Sequence, residues 1–289
     1  MNNIFNIKRF GLVLRKELME NWKRYMILFL TMLTIITIVH MFVCYGQYNY
    51  YKNLDHNSNP DKQITPYHTL INFSSVLFFI FGILFSSTFM NSMNSKVKKI
   101  SYLSNPSSHL EKYLTRWGIT IVGYIISFFI ALFIADALRV SIYSTIYPNL
   151  NIKFIDLFSI WEDENKKSLF LFFSKEASIM YISFYLLFQS IFILGSTFWE
   201  KATFMKTIIA IVLIFHVFGF LCYGTILLFY GGFDAFGNVL NSFGPTFEKR
   251  DISDKQVAIY FSCIISFFTI SNWIITYFRL RESEIIKRL

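Results

Sequence analysis

Charged residues are scarce in this chain: Asp, Glu, Lys and Arg make up 16% of its 289 residues, against about 25% in ordinary globular proteins. Hydrophobic residues account for 54%, and 20% of all residues are aromatic. A soluble fold could not bury this much apolar surface without leaving exposed patches that aggregate. The composition therefore excludes an ordinary soluble domain and favours a protein that has lipid as its solvent.

Cysteine is also rare, and its placement excludes a disulfide framework. The three cysteines, Cys44, Cys222 and Cys263, each lie inside an apolar run, and none belongs to a C-x-x-C pair. Disulfide-rich secreted domains and zinc-binding domains both need cysteines at short, regular spacing. We therefore expect three free, buried thiols.

The motifs of several enzyme classes are missing. There is no G-x-x-x-x-G-K-[ST] stretch, and because that loop holds the phosphates of ATP, the chain is not expected to bind ATP itself. There is no H-E-x-x-H, G-x-S-x-G or zinc-type Cys/His pattern either, so we expect no bound metal and no catalytic residue. His56 and Asp61 have the H-x-x-x-x-D spacing of glycerolipid acyltransferases, but no other motif of those enzymes accompanies them.

Long apolar runs are what the sequence has in abundance. A helix needs about 20 mostly apolar residues to cross the hydrocarbon core of a membrane. Six segments meet this requirement, and even the least apolar of them, ASIMYISFYLLFQSIFILGSTF, has no charged residue. The predicted spans cover residues 25–45, 69–91, 117–138, 178–198, 207–231 and 257–278. The predicted fold class is all-α, a polytopic helical membrane protein with a single transmembrane domain over residues 1–289.

The positions of Lys and Arg predict the orientation of these spans. If both termini are cytoplasmic, the inner segments hold 17 of the 27 basic residues but only 6 of the 18 acidic ones. Cytoplasmic loops carry this kind of basic excess, so both termini are expected in the cytoplasm. The net charge of +9 is then a membrane signal. A nucleic-acid partner is not expected, since the sequence has no soluble basic domain.

Residues 4–24 predict an amphipathic helix at the membrane surface. Apolar residues form one stripe at helical spacing, and basic residues cover the flanks. Such a helix lies among lipid headgroups, and we expect the chain to turn into the first span near Tyr25. The residues that define this elbow helix are Phe10, Leu14, Arg15, Lys16, Leu18 and Trp22. A plain membrane anchor and a contact with a partner explain the helix equally well. At the other terminus, residues 279–289 predict a charged continuation of the sixth span.

The segment between the second and third spans is longer than a simple link requires. The second span is expected to continue as a basic helix until Asn105 and Pro106 break it, because a residue before proline is pushed out of the α region. Ser108 and Glu111 then have the spacing of a capping box, in which each side chain bonds the backbone amide of the other. The predicted order is helix, sharp turn and capped helix. A docking site and a plain basic anchor are both consistent with it.

The stretch YLSNPSSHLEKYLTRW resembles the phrase YL-x-x-P-x-S-x-x-E-K-x-x-x-R-W of a group of bacterial ABC exporter permeases. The opening KRFGLVLRKEL and the ending NWIITYFRLRESEI are similar to theirs as well. These proteins are six-span subunits of the type-2 exporter superfamily, and their ATPase is a separate chain. The resemblance covers the whole layout, from the N-terminal amphipathic helix through the basic loop to the six spans.

This resemblance implies a multi-pass permease in a bacterial cytoplasmic (inner) membrane. Residues 92–114 would dock on a separate ABC ATPase, which would hold the ATP and Mg, whereas this chain would bind no cofactor. A second permease chain, identical or paired, and membrane lipids would be its other partners. The expected ATPase-coupling residues are Lys96, Lys98, Lys99, Tyr102, Leu103, Pro106, Ser108, Glu111, Lys112 and Arg116.

Polar residues within the spans are few, and they are the candidates for a substrate path. We expect His40, Gln189, His216 and Asn272 in this role, with ordinary interhelical hydrogen bonds as the alternative. Asp136 and Arg139 are expected to pair on one helix face. Because the spans hold so few ionisable groups, an amphiphilic or hydrophobic cargo fits better than an ion-coupled one.

In the outer segments, short surface helices are expected within 139–177, and a re-entrant segment or a flexible loop within 230–256.

Three functions follow from these observations. The first is an ABC exporter permease, which would carry out no chemistry itself. The second is a membrane protein without transport activity, such as an immunity factor or an assembly scaffold, which fits the spans equally well but leaves the structured basic loop without a purpose. The third, a lipid-modifying membrane enzyme, has only the isolated His56 and Asp61 pair to support it.

Overall fold

The structure is a computed structural model in which every regular element of the described residues is a helix. The described residues are 5–53, 67–91, 100, 102, 106–148, 152–155, 175–199, 201–230 and 254–285. The helices are α1 (Ile7–Asn53), α2 (Tyr67–Ser87), α3 (His109–Gly118), a π-helical segment (Ile119–Gly123), α4 (Tyr124–Ile146), α5 (Lys175–Phe198), α6 (Thr203–Tyr230) and α7 (Asp254–Ile285).

Six helical stretches of the described chain are long and apolar enough to cross a membrane. The predicted all-α fold with six spans is therefore confirmed, and the chain has the build of a multi-pass membrane protein. The third stretch combines α3, the π-helical segment and α4 into one continuous rod, His109–Ile146. The expected helical extension of the sixth span is confirmed as far as Ile285.

The first helix differs from the sequence-based expectation. The predicted change of direction near Tyr25 was wrong, since α1 is a single unbroken helix of 47 residues. Neither glycine nor proline occurs between residues 12 and 45, so nothing in the local sequence interrupts the backbone hydrogen bonds. At 1.5 Å per residue the helix is about 70 Å long, more than twice the roughly 30 Å hydrocarbon core. The amphipathic part continues the span instead of bending away from it.

The second helix ends earlier than predicted. α2 stops at Ser87 and is followed by a tight turn through residues 88–91, at a place where the sequence predicts a continuing helix. The hydroxyls of Ser86, Ser87 and Thr88 each donate to a main-chain carbonyl three or four residues back, at 2.6–2.7 Å. Such bonds compete with helix propagation. The turn is closed by amide bonds of the three-residue type, such as Thr88 to Phe85 at 3.1 Å.

An aromatic cluster forms the centre of the bundle, where α1, α2, α4 and α5 meet. Tyr185 of α5 lies 4.5 Å from the ring centre of Phe78 of α2, and it packs against Gly82, where an added Cβ would come within 2.5 Å of its ring. Tyrosine hydroxyls link the helices across this core: Tyr124 donates to the Phe78 carbonyl at 2.6 Å, and Tyr181 donates to the Ser75 carbonyl at 3.0 Å. The aromatic residues therefore supply both packing and directional hydrogen bonds.

The last spans are more open to their surroundings. α5 and α7 pack closely along their length, but α6 contacts the bundle chiefly through its first turns, and its side chains from Val212 onward are almost all exposed. The three cysteines are free, as predicted. The expectation that all three are buried was wrong, however, because Cys222 and Cys263 are exposed. Apolar surface on a membrane span faces lipid, so an apolar run does not imply burial in protein.

One end of the bundle, called the far end here, holds a buried arginine with a full set of partners. Arg139 is 0% exposed, and its Nε donates to Asp136 at 2.7 Å, which confirms the predicted pair. Its two other nitrogens donate to the Tyr48 hydroxyl at 2.7 Å and the Lys153 carbonyl at 2.8 Å. Asp136 also accepts the Ile155 amide at 2.8 Å. This cluster joins the end of α1, α4 and residues 152–155.

Candidate functional site at the basic end of the bundle

The opposite end, called the basic end here, is formed by the start of α1, the end of α2, α3 and the last turns of α7. α3 begins with the predicted capping box. The Glu111 amide donates to the Ser108 hydroxyl at 3.2 Å, and the Ser108 amide donates to the Glu111 carboxylate at 3.0 Å. Pro106 lies two residues before the cap, in a bend. The capped start fixes where α3 begins.

Glu111 also holds the start of α1 against α3. Its carboxylate is buried and accepts the Asn6 amide at 2.8 Å and the Arg9 Nε at 2.7 Å. Burial opposes ionisation of this carboxyl, but hydrogen bonds from Arg9 and from the amides of Asn6 and Ser108 favour it, and together they lower its pKa. The start of α1 and the start of α3 are therefore joined.

Arg116 lies one and a half turns further along α3, and its partners are distant. Only 4% of the residue is exposed. One terminal nitrogen donates to the Phe89 carbonyl at 3.4 Å and to the Met90 sulfur at 3.6 Å, and the other lies 3.8 Å from the Glu17 carboxylate. Among the described residues, its Nε and Nη2 have no hydrogen-bond acceptor. The charge is buried but incompletely satisfied.

Tyr102 covers the guanidinium of Arg116. The Tyr102 ring centre lies 3.9 Å from the Arg116 Cζ and 5.5 Å from the Nζ of Lys112, the residue one turn earlier on α3. These distances are typical of cation–π contacts. The structure therefore gathers Tyr102, Pro106, Ser108, Glu111, Lys112 and Arg116 at one place. The other expected coupling residues, Lys96, Lys98, Lys99 and Leu103, lie outside the described residues.

Contacts with the last span extend this end of the bundle. The Tyr113 hydroxyl donates to the Trp273 carbonyl at 3.0 Å, and the Trp117 and Trp273 rings meet edge to face at 5.3 Å. Tyr277 contacts the Tyr113 ring at 5.7 Å. α3 is therefore bonded to the first helix on one side and to the last helix on the other.

Two neighbouring cavities lie at this end of the bundle, and Arg116 lines the smaller of them. The smaller has a volume of about 30 Å³ and is lined by polar groups that include Glu17, Asn21, Arg24 and Arg116. The larger is an apolar groove of about 450 Å³ between α1, α2 and α4, lined by side chains such as Leu28, Phe29, Met32, Phe81 and Leu84. Tyr25, Phe85, Thr88 and Ile119 line both cavities. The polar cavity and the apolar groove are therefore neighbours that share four lining residues.

The predicted elbow residues do not share one environment. Phe10 and Leu14 are half-buried, whereas Arg15, Lys16, Leu18 and Trp22 are exposed. Lys16 forms an exposed pair with Glu20 at 3.7 Å. The face that meets Arg116 carries Glu17, Asn21 and Arg24, which the sequence analysis did not single out. Their spacing of four and then three residues places them on one helical face, and this was the signal available.

The predicted substrate-path residues have separate partners. His40 is buried and shares a 2.9 Å hydrogen bond with the Ser74 hydroxyl, which itself donates to the Leu70 carbonyl. The Ser74 proton is thus already used, and the His40 Nε2 must be the donor. Asn272 donates to the Ser190 hydroxyl at 3.0 Å. His216 lies on the exposed α6. The hydrogen bond recorded for it joins its Nδ1 to the Val212 carbonyl of the same helix, at 2.8 Å. His40 and Asn272 therefore bond to neighbouring helices, and His216 bonds to its own helix. A substrate path lined by these residues stays a prediction.

Gln189 has a different role in the bundle. It is 0% exposed, and its amide donates to the Thr120 carbonyl at 3.3 Å. Thr120 belongs to the π-helical segment, Ile119–Gly123, where the regular pattern of backbone bonds is altered. Gln189 therefore supports the wide turn through which α3 passes into α4.

Other sequence-based expectations fall outside the described residues. These are the His56 and Asp61 pair, residues 156–174 of the 139–177 segment in which surface helices are expected, and residues 231–253 of the 230–256 segment expected to be re-entrant or a flexible loop. Among the residues that the structure describes, no group of three His, Cys, Asp or Glu side chains is arranged to hold a metal ion. Comparisons of the chain with protein-family models, with curated proteins and with solved structures found no match.

Proposed function

We propose that this chain is the membrane permease subunit of an ABC exporter and that its basic end docks on a separate ATPase. The observation that carries the proposal is the construction of this end. A capped helix that follows a proline turn is bonded to the start of α1 through Glu111 and continues directly into the third span. A loop that served only to connect two spans or to set their orientation would need neither the cap nor the bond.

The same contacts explain how motion would pass from the ATPase into the membrane. A displacement of α3 moves the third span, because both belong to one rod. The bond between Tyr113 and Trp273 carries part of the same displacement to α7. The ATPase would bind ATP and Mg, whereas this chain supplies the pathway and no catalytic residue.

An amphiphilic or hydrophobic cargo is part of the proposal. Within the spans, the recorded side-chain hydrogen bonds of His40, Gln189 and Asn272 join helix to helix. Coupled ion transport usually needs carboxylates within the membrane, and Asp136 is already paired with Arg139. The pathway forms with a second permease chain, either identical or paired.

Co-purification of an ATPase tests the proposal. The tagged chain is extracted from its native membranes in mild detergent, and the eluate is assayed for ATP hydrolysis and for a polypeptide with a nucleotide-binding loop. A chain with both Lys98→Glu and Lys99→Glu is expected to lose the ATPase, because its docking surface has reversed charge. Lys153→Glu is the matched control, since it reverses an exposed lysine at the far end, and it is expected to retain the ATPase.

Two results would contradict the proposal. One is an eluate without ATP hydrolysis from the wild-type chain. The other is an ATPase that binds regardless of the charge in the loop. Either result would favour the membrane protein without transport activity, an immunity factor or an assembly scaffold, and the basic residues would then serve only to orient the spans.

A further inference from the structure

The guanidinium of Arg116 is buried, and two of its nitrogens, Nε and Nη2, have no hydrogen-bond acceptor among the described residues. A charged donor is costly to bury unless it is paired, and the distances from Arg116 to Phe89, Met90 and Glu17 are all too long for strong charge-assisted hydrogen bonds. The two nitrogens without acceptors belong to a side chain that lines the 30 Å³ cavity. That volume has room for about two water-sized groups.

The charge around this cavity favours an anion. Arg24 and Arg116 contribute two positive charges, and Glu17 contributes one negative charge. Glu17 already accepts the side-chain amide of Asn21 at 3.2 Å. Arg24 has no hydrogen-bond or ion-pair partner among the described residues. The cavity is left with one positive charge in excess, which matches the single charge of a phosphodiester.

The groove beside the cavity indicates the chemistry of the remaining part of the ligand. Its volume of about 450 Å³ lies within the 300–1,000 Å³ range of small-molecule pockets, and its lining is almost wholly apolar. Leu18 and Leu84 at its rim are 43% and 37% exposed, so the groove opens sideways towards lipid. A ligand that fills both cavities must have an anionic head and an apolar chain.

We propose that the polar cavity and the groove together bind a membrane phospholipid from the leaflet at the basic end. The phosphate oxygens accept hydrogen bonds from Arg116 and Arg24, and an acyl chain lies in the groove between α1, α2 and α4. Inorganic phosphate would leave the groove empty, and a neutral diacylglycerol would leave the arginines unpaired. The site goes beyond the proposed export function and does not rest on it.

Native mass spectrometry of the purified full chain tests the site. The delipidated protein in mild detergent is titrated with four probes: dioleoyl phosphatidylglycerol, dioleoyl phosphatidylcholine, dioleoylglycerol and inorganic phosphate. Both phospholipids are expected to bind with one site of highest affinity. The diacylglycerol is expected to bind about tenfold more weakly, because it forms no charge-assisted bonds. Inorganic phosphate is expected to show no binding at the same concentrations.

Matched pairs of variants separate this site from lipid that coats the surface. Arg24→Gln should weaken phospholipid binding about tenfold, whereas Arg15→Gln, the same change at an exposed position of α1, should not. Thr31→Trp should fill the groove and weaken binding similarly. Thr34→Trp is its control, because both threonines are exposed and both donate to a backbone carbonyl of α1, but only Thr31 lines the groove.

The proposal is overturned if Arg24→Gln and Thr31→Trp bind phospholipid as the wild type does. It is also overturned if dioleoylglycerol binds as tightly as the phospholipids, since the arginines would then have no role. Binding of inorganic phosphate with equal affinity would replace the lipid site by a simple anion site. These outcomes are independent of whether an ATPase co-purifies with the chain.

Discussion

Two buried arginines lie on one continuous rod, at opposite ends of the bundle, and they are treated differently by their surroundings. Arg139 at the far end has hydrogen bonds of 2.7–2.8 Å to a carboxylate, a hydroxyl and a carbonyl. Among the residues that the structure describes, the shortest hydrogen bond recorded for Arg116 at the basic end is 3.4 Å. At 1.5 Å per residue the two lie about 35 Å apart, slightly more than the hydrocarbon thickness.

The difference separates a structural charge from a binding group. A buried charge with a full set of short bonds is an internal clamp, because every donor has its acceptor within the chain. A buried charge with only long contacts needs a further hydrogen-bond acceptor from outside the described residues. By this criterion Arg139 is a structural group of the far end, whereas Arg116 is the group on which the proposed phospholipid site depends.

The largest expected effect comes from breaking the clamp. Arg139→Met leaves Asp136 buried without its counter-charge, and the free energy of unfolding should fall by about 3–5 kcal/mol. Thermal unfolding in mild detergent measures this loss. Adding Asp136→Asn to the same chain removes the stranded charge and should recover part of the stability. A double variant as unstable as the single one would mean that the pair is not the source.

The Tyr48 hydroxyl tests one arm of the same clamp. Tyr48→Phe removes the 2.7 Å bond to Arg139 but keeps the ring contact with Tyr143 at 5.0 Å. A hydrogen bond to a charged group contributes about 1.5–3 kcal/mol, so unfolding in the same detergent should become easier by about 2 kcal/mol. Tyr45→Phe, an exposed position on the same helix, should change nothing measurable.

At the basic end, Glu111 is expected to matter less for stability than for local order. Glu111→Ala removes one half of the capping box and should cost about 1 kcal/mol. It also frees Asn6 and Arg9, so backbone amides near the start of α1 should exchange hydrogen faster. Glu20→Ala is the control, because Glu20 forms only an exposed pair with Lys16. Equal exchange rates in both variants would show that Glu111 does not hold α1.

The pH dependence of this exchange checks the same bond. The pKa of Glu111 in the folded chain is lowered from the ordinary value of about 4.3. Its contribution is therefore complete above the ordinary value and is lost as the pH falls through the lowered one. Protection of these amides, relative to their intrinsic exchange rate at each pH, should be constant from neutral to mildly acidic pH and should be lost only below it. Protection already lost between neutral and mildly acidic pH would contradict the assignment.

The smallest expected change in stability comes from Arg116, and it is the most direct test of the difference between the two arginines. Arg116→Met in delipidated detergent should leave the unfolding free energy within about 0.5 kcal/mol of the wild type. The variant loses weak contacts but also avoids the cost of burying a poorly paired charge. Added phospholipid should stabilise the wild type and not the variant. A loss as large as that of Arg139→Met would make both arginines internal clamps.

Local features were the ones that the sequence could predict. The six spans follow from apolar runs, and both the capping box and the Asp136–Arg139 pair join residues three apart on one helix. The bonds from Arg139 to Tyr48 and from Glu111 to Arg9 could not be predicted, because they depend on which helices become neighbours. The arrangement of Glu17, Asn21 and Arg24 beside Arg116 is of the same long-range kind.

The wrong predictions have equally local causes. The amphipathic pattern of residues 4–24 is typical of surface helices, but no residue near Tyr25 is able to interrupt the backbone. The early end of α2 coincides with Ser86, Ser87 and Thr88 bonding back to their own helix, and composition does not reveal such bonds. Cys222 and Cys263 face outward because apolar residues in a membrane span need no protein to cover them.

The π-helical segment Ile119–Gly123 determines how far the side chains of α3 are rotated about the rod axis relative to those of α4. One residue more or less in an α-helix rotates everything beyond it by about 100°, and a π segment amounts to one inserted residue. A rod wound as a regular helix throughout would carry Arg116 about 100° around its axis, away from Glu17 and Tyr102. The position of Arg116 beside Glu17 and the 30 Å³ cavity therefore depends on the winding of the rod as well as on the identity of its residues.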